Sequence, residues 1–226
     1  MIRAFHWLMT AALFCLASAA IGAERKPNIV FILADDLGWT DLGCMGSKYY
    51  ETPHIDRLAS QGTKFLNHHH CQNCTPTRAA LMSGQYPPRT GVYTVGSLER
   101  GKAEHRRMAV PQNQTDLPLD RRTIADQLKA AGYATAMFGK WHIGQQGQYH
   151  PAQRGFDEAI VSMGRHFNFV THPPVTYPPG TYLADFLTDK AVDFITRHKD
   201  KPFFLYLPHF AVHTPHEAKK DLFARF

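Results

Sequence analysis

"PNIVFILADDLG", residues 27 to 38, decides the fold. Ile29 to Leu33 are all large and apolar, with no polar residue alternating among them. That pattern predicts a strand buried on both faces, as in a parallel sheet covered by helices. The run stops at Asp35-Asp36-Leu37-Gly38. In open parallel sheets ligands bind beyond the carboxyl ends of the strands, so the two aspartates fall where chemistry belongs.

Reading outward, the same alternation repeats. Thr52 as cap and Pro53 in the first turn open a short helix with Ile55, Leu58 and Ala59 on one face, stopped by Gly62. A short strand over residues 63–67 is predicted to lead into "HHHCQNCTPTR", residues 68–78. Thr75 and Pro76 have helix-starting chemistry, and "PTRAALM" reads as a helix closed by Gly84. Residues 86–120 show no periodicity. Thr123 with Asp126 forms a capping-box pattern ahead of a helical face at Ile124, Leu128 and Ala131. Strand "YATAMF" follows, then irregular sequence over 143–181. Leu183, Phe186, Leu187, Ala191, Phe194 and Ile195 mark a long amphipathic helix before strand "FFLYL". Strands alternating with helices four times predict an α/β fold with a mostly parallel central sheet flanked by helices.

The chain has 226 residues, 44% hydrophobic and 19% charged, which fits one globular domain or somewhat more and excludes disorder and coiled coil. A formal charge of +6 suits an anionic ligand, but no block of five like charges marks a nucleic-acid surface. Arg3, the apolar run from Trp7 to Ala20 and "ASAAIGA" follow the plan of a signal peptide over residues 1–23, so the mature protein is expected to be exported. The run is short and interrupted by Thr10 and Ser18, which argues against stable membrane insertion. Cleavage would leave Cys44, Cys71 and Cys74, an odd set in an oxidising compartment unless one is converted to something other than a thiol.

Reactive residues collect at the expected strand ends. They are Asp35-Asp36, Cys74 with Arg78, Lys140 and His142 in "GKWH", and His209, His213 and His216 in "PHFAVHTPH". Residues 68–78 admit three readings: a His/Cys metal site, a Cys71-x-x-Cys74 redox pair, or a catalytic element at Cys74. Zinc would need a second cluster at proper spacing, which is missing. A redox pair belongs at an exposed helix start in a thioredoxin-like unit. In favour of Cys74, the helix after it offers free N–H groups to an anion, with Arg78 one turn in. The adjacent aspartates are turn formers or, as oxygen ligands, suit a hard ion. "FGK" lacks the upstream glycine of a phosphate-binding loop.

Taken together, "PNIVFILADDLG", "CTPTRAALMSGQYPPRTG", "GYATAMFGKWHIG", "RGFD" and "PFFLYLPHFAVHTPH" resemble the sulfatase family, the arylsulfatase-like branch of the alkaline-phosphatase-type α/β hydrolases. The resemblance implies that Cys74 is oxidised by a formylglycine-generating enzyme to an aldehyde that hydrates to a diol. It also implies one divalent ion, Ca²⁺ or Mg²⁺, on Asp35, Asp36 and the modified Cys74. One diol hydroxyl would attack sulfur, and loss of a proton from the other would eject sulfate. Arg78 would orient the diol, Lys140 and His213 would hold sulfate oxygens or protonate the leaving group, and His142 would assist elimination. This chain has Thr77 where the family most often has serine.

Family members run to roughly twice this length, with a catalytic domain and a smaller second one. Residues 24–226 would therefore be the N-terminal portion of a catalytic domain, stopping before the later strands and before an Asp-Asn pair and a lysine that complete the metal and sulfate sites. The expected function is an exported sulfuric ester hydrolase acting on an aryl sulfate or a sulfated carbohydrate, periplasmic or secreted, or lysosomal if the source is eukaryotic. A phosphatase or phosphonate hydrolase with the same nucleophile, or a non-catalytic anion-binding remnant, are the alternatives. Comparing kcat/KM on matched aryl esters separates the first pair, and the chemical state of Cys74 separates the last.

Overall fold

The computed structural model describes residues 26–225, so the signal-peptide expectation lies outside the described residues. The elements are β1 (Ile29–Leu33), α1 (Pro53–Gln61), α2 (Cys74–Ser83), α3 (Pro87–Thr90), α4 (Ile124–Ala130), β2 (Ala134–Gly139), β3 (Glu158–Val161), α5 (Leu183–His198), β4 (Phe203–Pro208) and α6 (Lys220–Phe223), with short 3-10 turns between them. The four strands form one sheet in the order β1-β4-β2-β3, with every pair parallel. Ile29 pairs with Phe204 and Leu33 with Pro208, while Met137 pairs with Tyr206. The α/β expectation is met.

The strand residues alternate between two cores. Met137, Phe204 and Tyr206 join Ala79 and Met82 of α2 and Ala125 of α4 on one face. Ala136, Phe138, Phe203, Leu205 and Leu207 join Leu183, Phe186, Leu187, Ala191 and Phe194 of α5 on the other. This two-sided burial is why β2 and β4 read as unbroken apolar runs. β1 departs from the reading. It lies at the sheet edge, its Ile29, Phe31 and Leu33 pack inward, and Val30 and Ile32 stay exposed, because α5 covers β2 and β4 but not β1.

Several local expectations are corrected. Residues 63–67 form no strand: Phe65 and Leu66 are 79% and 71% exposed, so strand propensity there meets no neighbour to pair with. The strand absent from the sequence reading is β3, four residues held against β2 by Asp157, whose carboxylate accepts from the Thr135 amide and hydroxyl at 3.0 Å. In α1, Thr52 is the N-cap residue as expected, but its side chain makes no cap bond; its hydroxyl accepts from the Gly43 amide at 2.8 Å and donates to Asp56 at 2.9 Å. The face carrying Ile55 and Leu58 is exposed, not packed. Helix α2 starts at Cys74 with Asn73 as its N-cap residue, two positions before the expected Thr75 cap. The Thr123–Asp126 capping box is present as read, and Gly84 closes α2 in the left-handed conformation at φ 65°.

Gly139 ends β2 at φ +133°, and a Cβ placed there would fall far inside contact distance of the Pro208 carbonyl. That close approach lets β2 and β4 finish side by side. Gly139→Ala is expected to cost on the order of 3 kcal/mol or more, because a forbidden backbone angle and a backbone clash act together. Gly132→Ala, at φ +85° with open space around it, should cost about 1 kcal/mol. Urea unfolding of both variants checks the contrast; equal losses would show that the Pro208 approach contributes nothing.

Candidate active site

The carboxyl ends of β1, β2 and β4 are tied together before any side chain is considered. The Asp35 amide donates to the Ala211 carbonyl at 2.9 Å, and the Val212 amide returns a bond to the Asp35 carbonyl at 2.7 Å. The His209 amide donates to Leu33 and the Lys140 amide to Pro208, each at 2.8 Å. Asp35, Lys140 and the 209–216 loop are thus placed side by side by backbone bonds, and the start of α2 faces them.

Asp35, Arg78 and Lys140 are all buried. The Lys140 ammonium lies 2.5 Å from Asp35 Oδ2, and Arg78 Nη2 lies 3.2 Å from Oδ1. Arg78 Nη1 also donates to the Lys140 carbonyl at 2.5 Å and lies 3.5 Å from the Tyr206 hydroxyl. Burial alone would raise the Asp35 pKa, but Lys140 and Arg78 outweigh it and hold the carboxyl below its usual range. The Cys74 Sγ sits 3.6 Å from Asp35 Oδ1 and 3.5 Å from the Lys140 ammonium. Burial pushes this thiol up, with Lys140 opposing. An unmodified Cys74 here is therefore mainly a thiol, not a ready thiolate nucleophile.

Ligand atoms of Asp35, Cys74 and His213 all lie within 4.8 Å of one another, the single cluster of this kind among the described residues. The His213 Nδ1 lies 2.6 Å from the Thr214 carbonyl. A carbonyl only accepts, so Nδ1 carries the proton and Nε2 presents its lone pair to the site when the ring is neutral. Asp36 is placed differently from its neighbour. Its carboxylate is half-exposed and lies 3.7 Å from His213 Nε2.

Asp36 and His142 adopt φ 59° and 58°, two of the three non-glycine positive φ values among the described residues. Strained backbone of this kind collects at functional sites. His142 Nδ1 and Arg78 Nε are buried without a protein partner. Burial, then Lys140 and Arg78, lower the His142 pKa to about 4. A neutral His142 opens onto a cavity of about 460 Å³ lined also by Thr75, Asp116, Gln145, Gln146 and Tyr149.

The sign of the pH effect follows from that shift. Between about 4 and the ordinary 6.5, the unfolded chain holds a proton on His142 that the fold does not. The stability it contributes is complete above 6.5 and is lost as pH falls towards 4, with a slope of at most about 1.4 kcal/mol per pH unit. His142→Gln should flatten this part of the stability profile in urea titrations. A variant with the wild-type slope would show that His142 is not the titrating group.

The structure brings together Asp35, Cys74, Arg78, Lys140 and His213, with His142 and Asp36 at the rim. His209 is half-buried, with Nδ1 unpartnered, while His216 and the His68–His70 tract are exposed. Cys44 and Cys71 are free thiols. Two contributors escaped sequence reasoning. Tyr206 lies beneath Arg78, and Phe210 carries the Lys140 ammonium 5.5 Å above its ring. Both read simply as members of an apolar stretch.

A family profile described as Sulfatase matches residues 27–226. The chain is 35% identical to N-acetylgalactosamine-6-sulfatase of Rattus norvegicus over 95% of its own length and 45% of that protein. It is also 35% identical to a protein named Sulfatase from Formosa agariphila, over 97% of this chain and 50% of that one. A crystal structure of Ps i-CgsB in complex with k-i-k-neocarrahexaose superposes with a TM-score of 0.76 at 33% identity, covering 89% of this chain and 49% of the other. The chain spans about half the length of the curated relatives it matches. Among the described residues no helix is long and apolar enough to cross a membrane.

Proposed function

Because the chain belongs to the sulfatase family, we propose that it supplies the nucleophile and the sulfate-facing groups of an exported sulfuric ester hydrolase. The observation that carries this reading is the position of Cys74. It is the first residue of α2, in reach of Asp35, Lys140 and His213 at once. Its Sγ stands where the oxygens of a formylglycine side chain would sit. A helix N-terminus and the Lys140 ammonium favour an anion at that point.

The orphaned Arg78 Nε and His142 Nδ1 support a site built for a bound group, since buried polar atoms are seldom left unpaired. Asp35, Asp36 and the residue-74 oxygen form a donor set suited to one Ca²⁺ or Mg²⁺. Formylglycine and the ion together would supply an activated oxygen nucleophile. The chain's own residues do the rest. Lys140 and Arg78 fix Asp35, and Lys140 offsets negative charge on the transferring group. In its imidazolium form His213 would donate from Nε2 to the leaving oxygen, and neutral His142 is available to accept a proton near pH 7.

The polar cavity beside His142 supports an alcohol leaving group larger than a simple phenol. A sulfated carbohydrate is the substrate class favoured here, in keeping with the printed names of relatives. Mass analysis of the tryptic peptide from Phe65 to Arg78 tests the reading, in material exported from a host that makes the modifying enzyme. Residue 74 should appear as an aldehyde, lighter than a thiol, while Cys71 in the same peptide stays alkylatable. A peptide with two alkylatable thiols under those conditions would overturn it.

A further inference from the structure

We propose that His166 is a positioning residue that fixes His213 in the site through an Nε2-protonated imidazole. His166 belongs to the loop after β3 and is only 3% exposed. Its Nε2 lies 2.8 Å from the main-chain carbonyl of His213. That carbonyl can only accept, so Nε2 must carry the proton.

The ring packs against two aromatic neighbours. It stacks on Tyr182 at 5.9 Å and tilts against Phe210 at 4.9 Å. Phe210 in turn packs on the His213 ring at 4.8 Å and lies under the Lys140 ammonium. A row of four rings thus runs from Tyr182 at the start of α5 to the reaction centre. The His166 backbone is held as well: its amide donates to Glu217 at 3.2 Å and its carbonyl accepts from the Leu183 amide at 2.8 Å. An anchored group of this kind transmits position.

A satisfied core histidine is the simpler alternative. Against it, the one ring bond of His166 goes to His213 itself, on a segment outside every strand and helix. No residue with a plain aromatic ring does both jobs, because phenylalanine fills the stack but leaves the His213 carbonyl without a donor. Glutamine lacks the stack, yet its amide nitrogen can occupy the position of Nε2.

The inference rests on the reading of His213 as a contact to the bound anion, and the test separates the two. In the wild-type full chain, long-range ¹H–¹⁵N spectra should show His166 protonated at Nε2. His166→Phe should displace the His213 ring resonances and weaken binding of inorganic sulfate by about 10-fold, the scale of one lost hydrogen bond. His166→Gln should restore the His213 resonances and return sulfate affinity to within about threefold. Protonation at Nδ1, or His213 resonances unmoved in the Phe variant, or equal losses in Phe and Gln variants, would overturn the assignment. Resonances that move and recover while sulfate affinity stays constant would uphold the positioning role and refute the anion contact.

Discussion

Asp35→Asn is expected to destabilise the fold by about 3–5 kcal/mol, although it changes little in shape. The carboxylate is the counter-charge to two buried cations, Lys140 at 2.5 Å and Arg78 at 3.2 Å. An amide has one oxygen to offer and no charge, so both cations would remain desolvated and uncompensated. Lys140→Met should cost less, because Asp35 keeps Arg78. The double variant should cost less than the sum of the singles by roughly 1 kcal/mol or more, as groups in one buried network couple. The pH profile gives a second check. Asp35 titrates below its unfolded value of 3.8, so its contribution is complete above that pH and is lost as pH falls through the lower folded value. The Asn variant should lack that acid limb. Urea midpoints with a chelator present measure both effects; a loss within about 1 kcal/mol would mean that water or a rearranged loop compensates the cations.

The site also shows how much the sequence alone makes legible. Asp35, Lys140 and His213 were found because each follows an apolar run at a strand end, and the ends of parallel strands converge. The reading worked best where local chemistry is self-contained, as in the Thr123–Asp126 capping box and the long helix α5. It failed where partners lie far along the chain. "EAIV" is too short to signal a strand and becomes one only against β2, whereas residues 63–67 have strand composition and pair with no strand. Thr52 holds the N-cap position as expected, but its hydroxyl bonds to Gly43 and Asp56 and leaves the helix amides without a side-chain cap. Tyr206 and His166 left no local signal: their partners Arg78 and His213 are 128 and 47 positions away. A role defined by such distant contacts is invisible to spacing.

On the proposed reading, Cys74→Ala in the sulfate-releasing enzyme should reduce turnover by on the order of 10⁶-fold, the scale on which removal of a covalent nucleophile acts, whereas Cys71→Ala should retain activity within about threefold. The contrast separates the three readings of residues 68–78. A Cys-x-x-Cys metal site or redox pair needs both sulfurs, so the two substitutions would be equally damaging. The geometry sets the cysteines apart. Cys74 Sγ faces Asp35 and Lys140, while Cys71 is engaged through its backbone carbonyl, which accepts from Thr77 at 3.0 Å. An unmodified thiol at residue 74 would make a poor nucleophile. Burial raises its pKa and the neighbouring carboxylate opposes a second negative charge, so the reactive thiolate is scarce. Cys74→Ser should therefore not rescue turnover, because a single hydroxyl has no second oxygen from which to expel sulfate. Release of inorganic sulfate from aryl and carbohydrate sulfates measures all three variants. Substantial multiple turnover by the serine variant would show that a simple alkoxide suffices, and that the site works without the modification.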